Sequence, residues 1–190
     1  MSPETEIHGT ASGAGSGADC RLLLVRHAKA EPKGRTDDFE RKLSARGRAD
    51  AAETGHWLEQ SPYRPELVLC SPARRARKTW RHAEPALTDR PATVYDERLY
   101  NAGPSELVAT LADLGTGLGV LALVGHNPGL HQLASALCGR GPSELLERLR
   151  AAFPTAGVVV VDCVGGWDGL APGRGTLIDF WAPDRRHHAT

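Results

Sequence analysis

A chain of 190 residues has the length of one domain and can bury about 70% of its unfolded surface, so neither a disulfide framework nor a structural metal is needed for stability. Its 23 basic and 23 acidic residues cancel, which argues against a general nucleic-acid or acidic-membrane binder and leaves any anion chemistry to local clustering. No apolar run approaches the ~18 residues of a membrane span, and Cys20, Cys70, Cys138 and Cys163 show neither C-x-x-C nor zinc-finger spacing. A soluble cytoplasmic protein with reduced thiols is expected.

The first 19 residues, rich in Gly, Ser and Ala, lack the charged start and apolar core of a signal peptide and read as a disordered arm. Residues 20–183 then read as one domain, and 184–190, with Arg185-Arg186-His187-His188, as a flexible tail. Arg21 to Arg26, apolar at nearly every position, predicts a central strand buried on both faces. After a polar loop over 31–41, Ser44 can cap a helix to about Glu59, closed off by Pro62 and Pro65. Leu67 to Cys70 predicts a second buried strand. Ser71 and Pro72 read as cap and first turn of a basic helix from about Ala73 to Ala83. A short strand over Thr93–Tyr95, a helix from Pro104 carrying Leu107, Leu111 and Leu114 on one face, and a buried strand over Val120–Val124 follow.

Asn127-Pro128 repeats the cap-then-proline signal for a helix to about Leu137, ended by Gly139, and Leu145, Leu146 and Leu149 suggest another. Val158–Val161 and Thr176–Trp181, joined by the glycine-rich 165–169 turn, predict a late strand pair near one edge of the sheet. Strands alternating with helices in this way predict an α/β fold, a three-layer α/β/α sandwich on a mostly parallel sheet. Trp57, Trp80, Trp167 and Trp181 fit core packing better than an interface.

Three strand-to-helix junctions carry unusual polar residues: Arg26-His27, Ser71 to Arg75, and Gly125-His126-Asn127. In open α/β sheets the ligand crevice lies outside the carboxyl ends of the strands, so these junctions are expected to converge. Guanidinium groups fork onto phosphate oxygens, and helix N-termini add N–H donors, so two histidines with several arginines suit a phosphoryl group. A neutral imidazole can attack such a group to give a covalent phosphohistidine, and nearby cations lower its pKa and keep the lone pair available. No Asp/Glu/His spacing points to Mg²⁺ or Zn²⁺, so no metal and no cofactor are expected.

The same residues carry a resemblance. Leu22-Leu23-Leu24-Val25-Arg26-His27-Ala28 resembles the Arg-His signature of the histidine phosphatase superfamily, which includes phosphoglycerate mutases. Ser71-Pro72-Ala73-Arg74-Arg75-Ala76-Arg77-Lys78-Thr79 is similar to its Ser-Pro…Arg…Thr segment, and Val124-Gly125-His126-Asn127-Pro128-Gly129-Leu130 resembles the second-histidine motif of the SixA-like phosphohistidine phosphatase branch. Arg41-Lys42-Leu43-Ser44…Gly47 and Leu99-Tyr100-Asn101-Ala102 also fit that branch. The match spans about residues 21–181 in the family's order.

The resemblance implies that His27 is the nucleophile, with Arg26, Arg75 and His126 gripping the phosphoryl oxygens. Arg75 is preferred over Arg74 because it lies four residues before Thr79. Lys29 and Asn127 can reach the rim, and Asn127 is carried as a phosphate-pocket residue. Arg74 and Arg77 read as solvated positions or contacts to an acidic partner. Many superfamily members supply a general acid, for which Asp96 and Glu97 are the candidates here. An alkoxide needs such an acid, whereas imidazole leaves readily, so a missing acid favours P–N cleavage.

The resulting expectation is a metal-independent phosphatase with a phosphohistidine intermediate, acting on phosphohistidine in a protein. The alternatives are a small-molecule phosphomonoesterase of the same superfamily and a non-catalytic phosphate-binding regulatory module. The expected partner is a phosphorylated protein or small phosphorylated substrate, with neither nucleic acid nor membrane; the sequence leaves the oligomeric state open.

Overall fold

The computed structural model describes residues 19–34 and 37–184. The disordered arm expected over 1–19 and the tail over 184–190 therefore lie, apart from Asp19 and Asp184, outside the described residues. Seven strands alternate with five helices: β1 (Cys20–Arg26), α1 (Ala45–Gln60), β2 (Leu67–Cys70), α2 (Arg74–Ala83), β3 (Ala92–Tyr95), α3 (Pro104–Gly115), β4 (Val120–Gly125), α4 (Gly129–Leu137), β5 (Cys138–Arg140), α5 (Ser143–Ala151), β6 (Val158–Cys163) and β7 (Gly175–Trp181).

The strands form one sheet in the order β3-β2-β4-β1-β6-β7-β5. Only β6 opposes the rest, because it pairs antiparallel with both β1 and β7 while the other pairings are parallel. β1 is the central strand and is buried on both faces: Leu23 and Val25 pack with Leu58, Ala76 and Trp80 under α1 and α2. Leu22 and Leu24, one residue out of phase, pack with Leu111, Leu130, Leu133 and Phe153 under the α3–α5 layer. Each fully buried leucine of this kind contributes roughly 1.5–3 kcal/mol, so the central strand is held firmly from both sides. The three-layer α/β/α architecture follows from this double burial.

The late pair β6–β7 lies near one edge of the sheet, as expected, and the three-residue β5, too short to carry a strand pattern in the sequence, pairs with β7 as the edge itself. Two expectations need correction. Ser71 does not cap α2, whose N-cap is Ala73 without a side-chain bond. Nor does Asn127 cap α4, which starts at Gly129 after Pro128. Both side chains are engaged elsewhere, as described below. Ser44 does cap α1, its hydroxyl accepting from the Gly47 N–H. Trp80 and Trp167 are buried, while Trp57 stacks on Trp181 with ring centroids 5.5 Å apart.

Candidate active site

Arg26 and Gly125 are register partners at the ends of β1 and β4. The next residue on each strand is a histidine, so the parallel register delivers His27 and His126 side by side. Their ring centroids lie 5.1 Å apart, close to the ~4.8 Å spacing of neighbouring strands. β2, on the other side of β4, ends at the same level through its Cys70–Val124 pairing and brings in Ser71 and α2. The three polar junctions thus meet at one rim, around a cavity of about 350 Å³ lined by Arg26, His27, Lys29, Asp38, Arg41, Arg75, Asn101, His126 and Asn127, among others.

Each side chain is held by a specific partner. His27 Nδ1 lies 2.8 Å from the Ala28 carbonyl, which can only accept, so Nδ1 carries the proton and Nε2 keeps its lone pair. Arg75 donates from Nε to that Nε2 at 3.3 Å. The Ala28 N–H donates to Thr79 Oγ1, whose hydroxyl donates to the Arg75 carbonyl, so Thr79 ties the end of β1 to the first turn of α2. Arg26 donates from a terminal nitrogen to the Phe153 carbonyl at 2.6 Å, and the Asn127 amide donates to the same oxygen at 3.1 Å. The bond to Phe153 is where Asn127 spends its side chain instead of capping α4. Ser71 Oγ lies 2.7 Å from His126 Nε2, and His126 Nδ1 is buried with no hydrogen-bond partner among the described residues.

Arg75 is buried, at 5% exposure, and a buried guanidinium requires a counter-charge. Asp38 supplies it: Arg75 donates to the Asp38 carbonyl at 2.6 Å and to Oδ2 at 3.0 Å. Arg41 donates to Asp38 Oδ1 at 3.0 Å, and the Tyr100 hydroxyl donates to Oδ2 at 3.1 Å. Tyr100 in turn stands edge-on to Phe39 and to His126. Asn101, beside it, lines the cavity with φ of 56°, in the left-handed region that asparagine tolerates.

The electrostatics follow from this packing. Burial, reinforced by Arg75, Arg26 and Arg41 against the opposing Ala28 hydrogen bond, lowers His27 to about 4. Burial, then His27 and Arg75, lower His126 to about 3. Both rings are neutral at pH 7. Asp38 is pushed up by burial, but the Arg41 hydrogen bond, the Arg75 charge and the Tyr100 hydroxyl outweigh this and bring it to about 2. At neutral pH the site therefore combines a neutral imidazole, its Nε2 lone pair facing Arg75, with fixed positive donors and an ionised carboxylate.

Of the residues expected from the sequence, Arg26, His27, Arg75, His126 and Asn127 lie together at this cavity, as does Lys29. Asp96 and Glu97 do not line it. The Asp96 carboxylate accepts from the Arg98 backbone N–H and pairs with the Arg98 guanidinium at 2.7 Å, while Glu97 is exposed. The carboxylate at the cavity is Asp38, which sequence reasoning passed over as part of a polar loop; Arg41, Tyr100 and Asn101, quoted from the sequence for their resemblance but given no role there, lie around it. The available signal was Asp38 three residues before Arg41 in a loop that returns to the strand ends, too common a pairing to stand out. Among the described residues no cluster of three or more His, Cys, Asp or Glu side chains is arranged to hold a metal ion.

Known proteins resemble this chain in sequence and fold. The profile of the histidine phosphatase superfamily (branch 1) matches residues 22–103. An uncharacterized protein of Mycobacterium tuberculosis (strain H37Rv) is 35% identical over 161 residues, covering 84% of this chain and 99% of its own length. The crystal structure of a protein from Agrobacterium tumefaciens, provisionally assigned as the phosphohistidine phosphatase SixA, is 34% identical with a TM-score of 0.73, covering 86% of this chain and 98% of that one. A structure from Nakamurella multipartitia with the same provisional assignment is 25% identical with a TM-score of 0.75, over 88% of this chain and 98% of that one. This chain belongs to the SixA-like branch of the histidine phosphatase superfamily and is a phosphatase.

Proposed function

We propose that this phosphatase removes the phosphoryl group from phosphohistidine in a protein, without a metal, through a covalent intermediate on His27. The observation that carries this reading is the state of Asp38. It is the sole carboxylate lining the cavity among the described residues, and two arginines and a tyrosine hold it ionised far below neutral pH. A serine or sugar phosphate expels an alkoxide and needs a proton donor at that point. An imidazole protonated on its second nitrogen leaves as a neutral ring and needs none.

In the first step His27 Nε2 attacks phosphorus and the bond to the substrate imidazole nitrogen breaks, the electron pair going to the leaving ring. The product on the enzyme keeps its Nδ1 proton on the Ala28 carbonyl, so the ring is an imidazolium carrying the phosphoryl group on Nε2. Arg26 and Arg75 neutralise the phosphoryl oxygens, and the unpartnered His126 Nδ1 donates a further hydrogen bond when it carries the ring proton, with the Ser71 hydroxyl donating to Nε2. In the second step water attacks phosphorus, the P–Nε2 bond breaks, neutral His27 is restored, and both water protons leave with inorganic phosphate as H₂PO₄⁻.

Phosphate release from a phosphohistidine-bearing protein and a phosphoserine-bearing counterpart, each with excess chelator, tests the reading. Rapid release from phosphohistidine alone is expected. Faster release from phosphoserine, or loss of activity on chelation, would overturn it.

A further inference from the structure

A second basic region adjoins the active site without contributing to it. The helix α2 reads Arg74-Arg75-Ala76-Arg77-Lys78-Thr79-Trp80-Arg81-His82-Ala83, without a carboxylate, in a chain whose net charge is zero. Trp80, Ala76 and Ala83 face the core, and Arg75 and Thr79 are buried at the active site. Of the remaining cations, Arg81 is exposed, while Arg74, Arg77, Lys78 and His82 are half-buried. Between the two helices lies an open cleft of about 180 Å³ lined by Lys42, Leu43, Arg48, Arg74, Lys78 and His82. Five of those six side chains are basic and none is acidic.

The cleft has defined geometry. Arg48 is fixed by its bond to the Leu43 carbonyl at 3.1 Å. Glu40 lies at the near end, 3.5 Å from Arg74 and 3.9 Å from Arg77, and among the described residues no carboxylate forms an ion pair with Lys42, Arg48 or Lys78. His82 has a lowered pKa, first through burial and then through Lys78 and Arg48, which shows how closely the positive charges crowd there. Lys42 and Arg74 are the chain neighbours of Arg41 and Arg75, which line the catalytic cavity. The cleft therefore adjoins the catalytic cavity, within reach of a polypeptide that delivers a phosphorylated side chain to His27.

We infer that the α1–α2 cleft is a docking surface for an acidic segment of the phosphorylated protein partner, engaged by Lys42, Arg48 and Lys78 beside the catalytic cavity. The inference rests on the reading of a protein substrate above and gives that substrate a charge. Nucleic acid fits less well. Single strands are held by aromatic platforms within a basic groove, and here the lining offers a leucine and a histidine, while duplexes require a basic face broader than one cleft. Carboxylates spaced along a peptide match ammonium and guanidinium groups spaced along a cleft, and at physiological ionic strength such attraction acts within the ~8 Å screening length. Its main effect is on encounter rate and partner choice.

The test uses the full chain and two charge reversals, Lys78→Glu and Arg48→Glu, singly and together. Turnover is followed with phosphoramidate, which is too small to reach the cleft, and with phosphohistidine carried on an acidic protein. Binding is followed separately, by fluorescence anisotropy of a labelled Glu/Asp-rich peptide. The double reversal should raise KM for the acidic phosphoprotein by roughly tenfold or more, abolish its salt dependence and leave phosphoramidate turnover unchanged. Peptide binding should fall in parallel. Equal losses on both substrates would overturn the inference, as would unchanged values on the protein, or an oligonucleotide or free citrate binding as tightly as the peptide. Peptide binding that the reversals abolish, in an enzyme that does not cleave phosphohistidine, would keep the surface and reject the substrate reading. Phosphohistidine turnover indifferent to the reversals would keep that reading and reject the surface.

Discussion

Arg75 is gripped along one edge by Asp38 and presents the other to His27. Its two terminal nitrogens reach the Asp38 carbonyl and carboxylate at 2.6 and 3.0 Å, while Nε lies 3.3 Å from His27 Nε2. A guanidinium held on its outer edge cannot turn away, so its inner edge stays aimed at the nitrogen proposed to receive the phosphoryl group. Replacing Arg75 with Ala should lower kcat by about 10²–10³, the usual effect of removing one preorganised donor to a charged intermediate. His27→Ala should abolish turnover altogether. Rapid-quench trapping of labelled phosphoryl on the protein checks both, and label retained by His27→Ala would refute the nucleophile assignment.

Asp38 is predicted to position Arg75 rather than to give up a proton. Asp38→Ala should lower kcat/KM by about tenfold through loss of one anchor of Arg75 and of Tyr100, while Asp38→Asn, which keeps an acceptor oxygen, should lose less. Comparison of a good and a poor leaving group decides the matter: a selective loss on the poor one in both variants would mark Asp38 as an acid.

Asp96→Ala is expected to leave kcat unchanged on any phosphoester. It should cost about 1 kcal/mol of stability, because its carboxylate caps the short turn over Glu97–Leu99. Steady-state kinetics alongside a urea melt would show the separation, and a kinetic defect without a shift in midpoint would reverse it.

The two imidazoles give a pH signature. In the unfolded chain they take up protons near the ordinary value of 6.5, but in the folded chain only near 4 and 3. Between about 4 and 6.5 the unfolded state therefore binds more protons, so stability rises with pH across this window and is lost as pH falls through it. NMR titration of the ring protons should place both midpoints well below 6.5. Midpoints near 6.5 would show that burial does not govern them.

Gly129→Ala should destabilise the fold by roughly 1–3 kcal/mol, since the new methyl group would fall on the Ala102 carbonyl where α4 meets the loop before α3. The strain would pass to His126 and Asn127, immediately upstream. A lowered denaturation midpoint together with a kinetic defect is the expected result, and a neutral substitution would mean that the loop yields without cost.

Much of this architecture was legible from pattern. Both-face burial marks β1 as central because apolar residues at 22–25 leave no polar face for solvent. Ser44 announces α1 because a hydroxyl three residues before Gly47 can satisfy its N–H. The failures have a common cause: Ser71, Asn127 and Asp38 each have side chains suited to local capping or to solvent, yet each is recruited by a partner remote in sequence. Ser71 meets His126 across two strands, Asn127 meets the Phe153 carbonyl, and Asp38 meets Arg75. Local spacing contains no term for such encounters. β5 was invisible because three residues cannot display a period.

The pairing of Arg26 with Gly125 has a bearing on how such an enzyme can diversify. The distance between the two histidines is fixed by hydrogen bonds of the sheet, which tolerate no intermediate value: deleting one residue within β1 would carry His27 to the opposite face. The outer faces of α1 and α2 obey no such discipline. Selection can therefore rewrite which molecules are admitted while the reacting geometry is inherited intact, much as a lock is rekeyed without recasting its bolt.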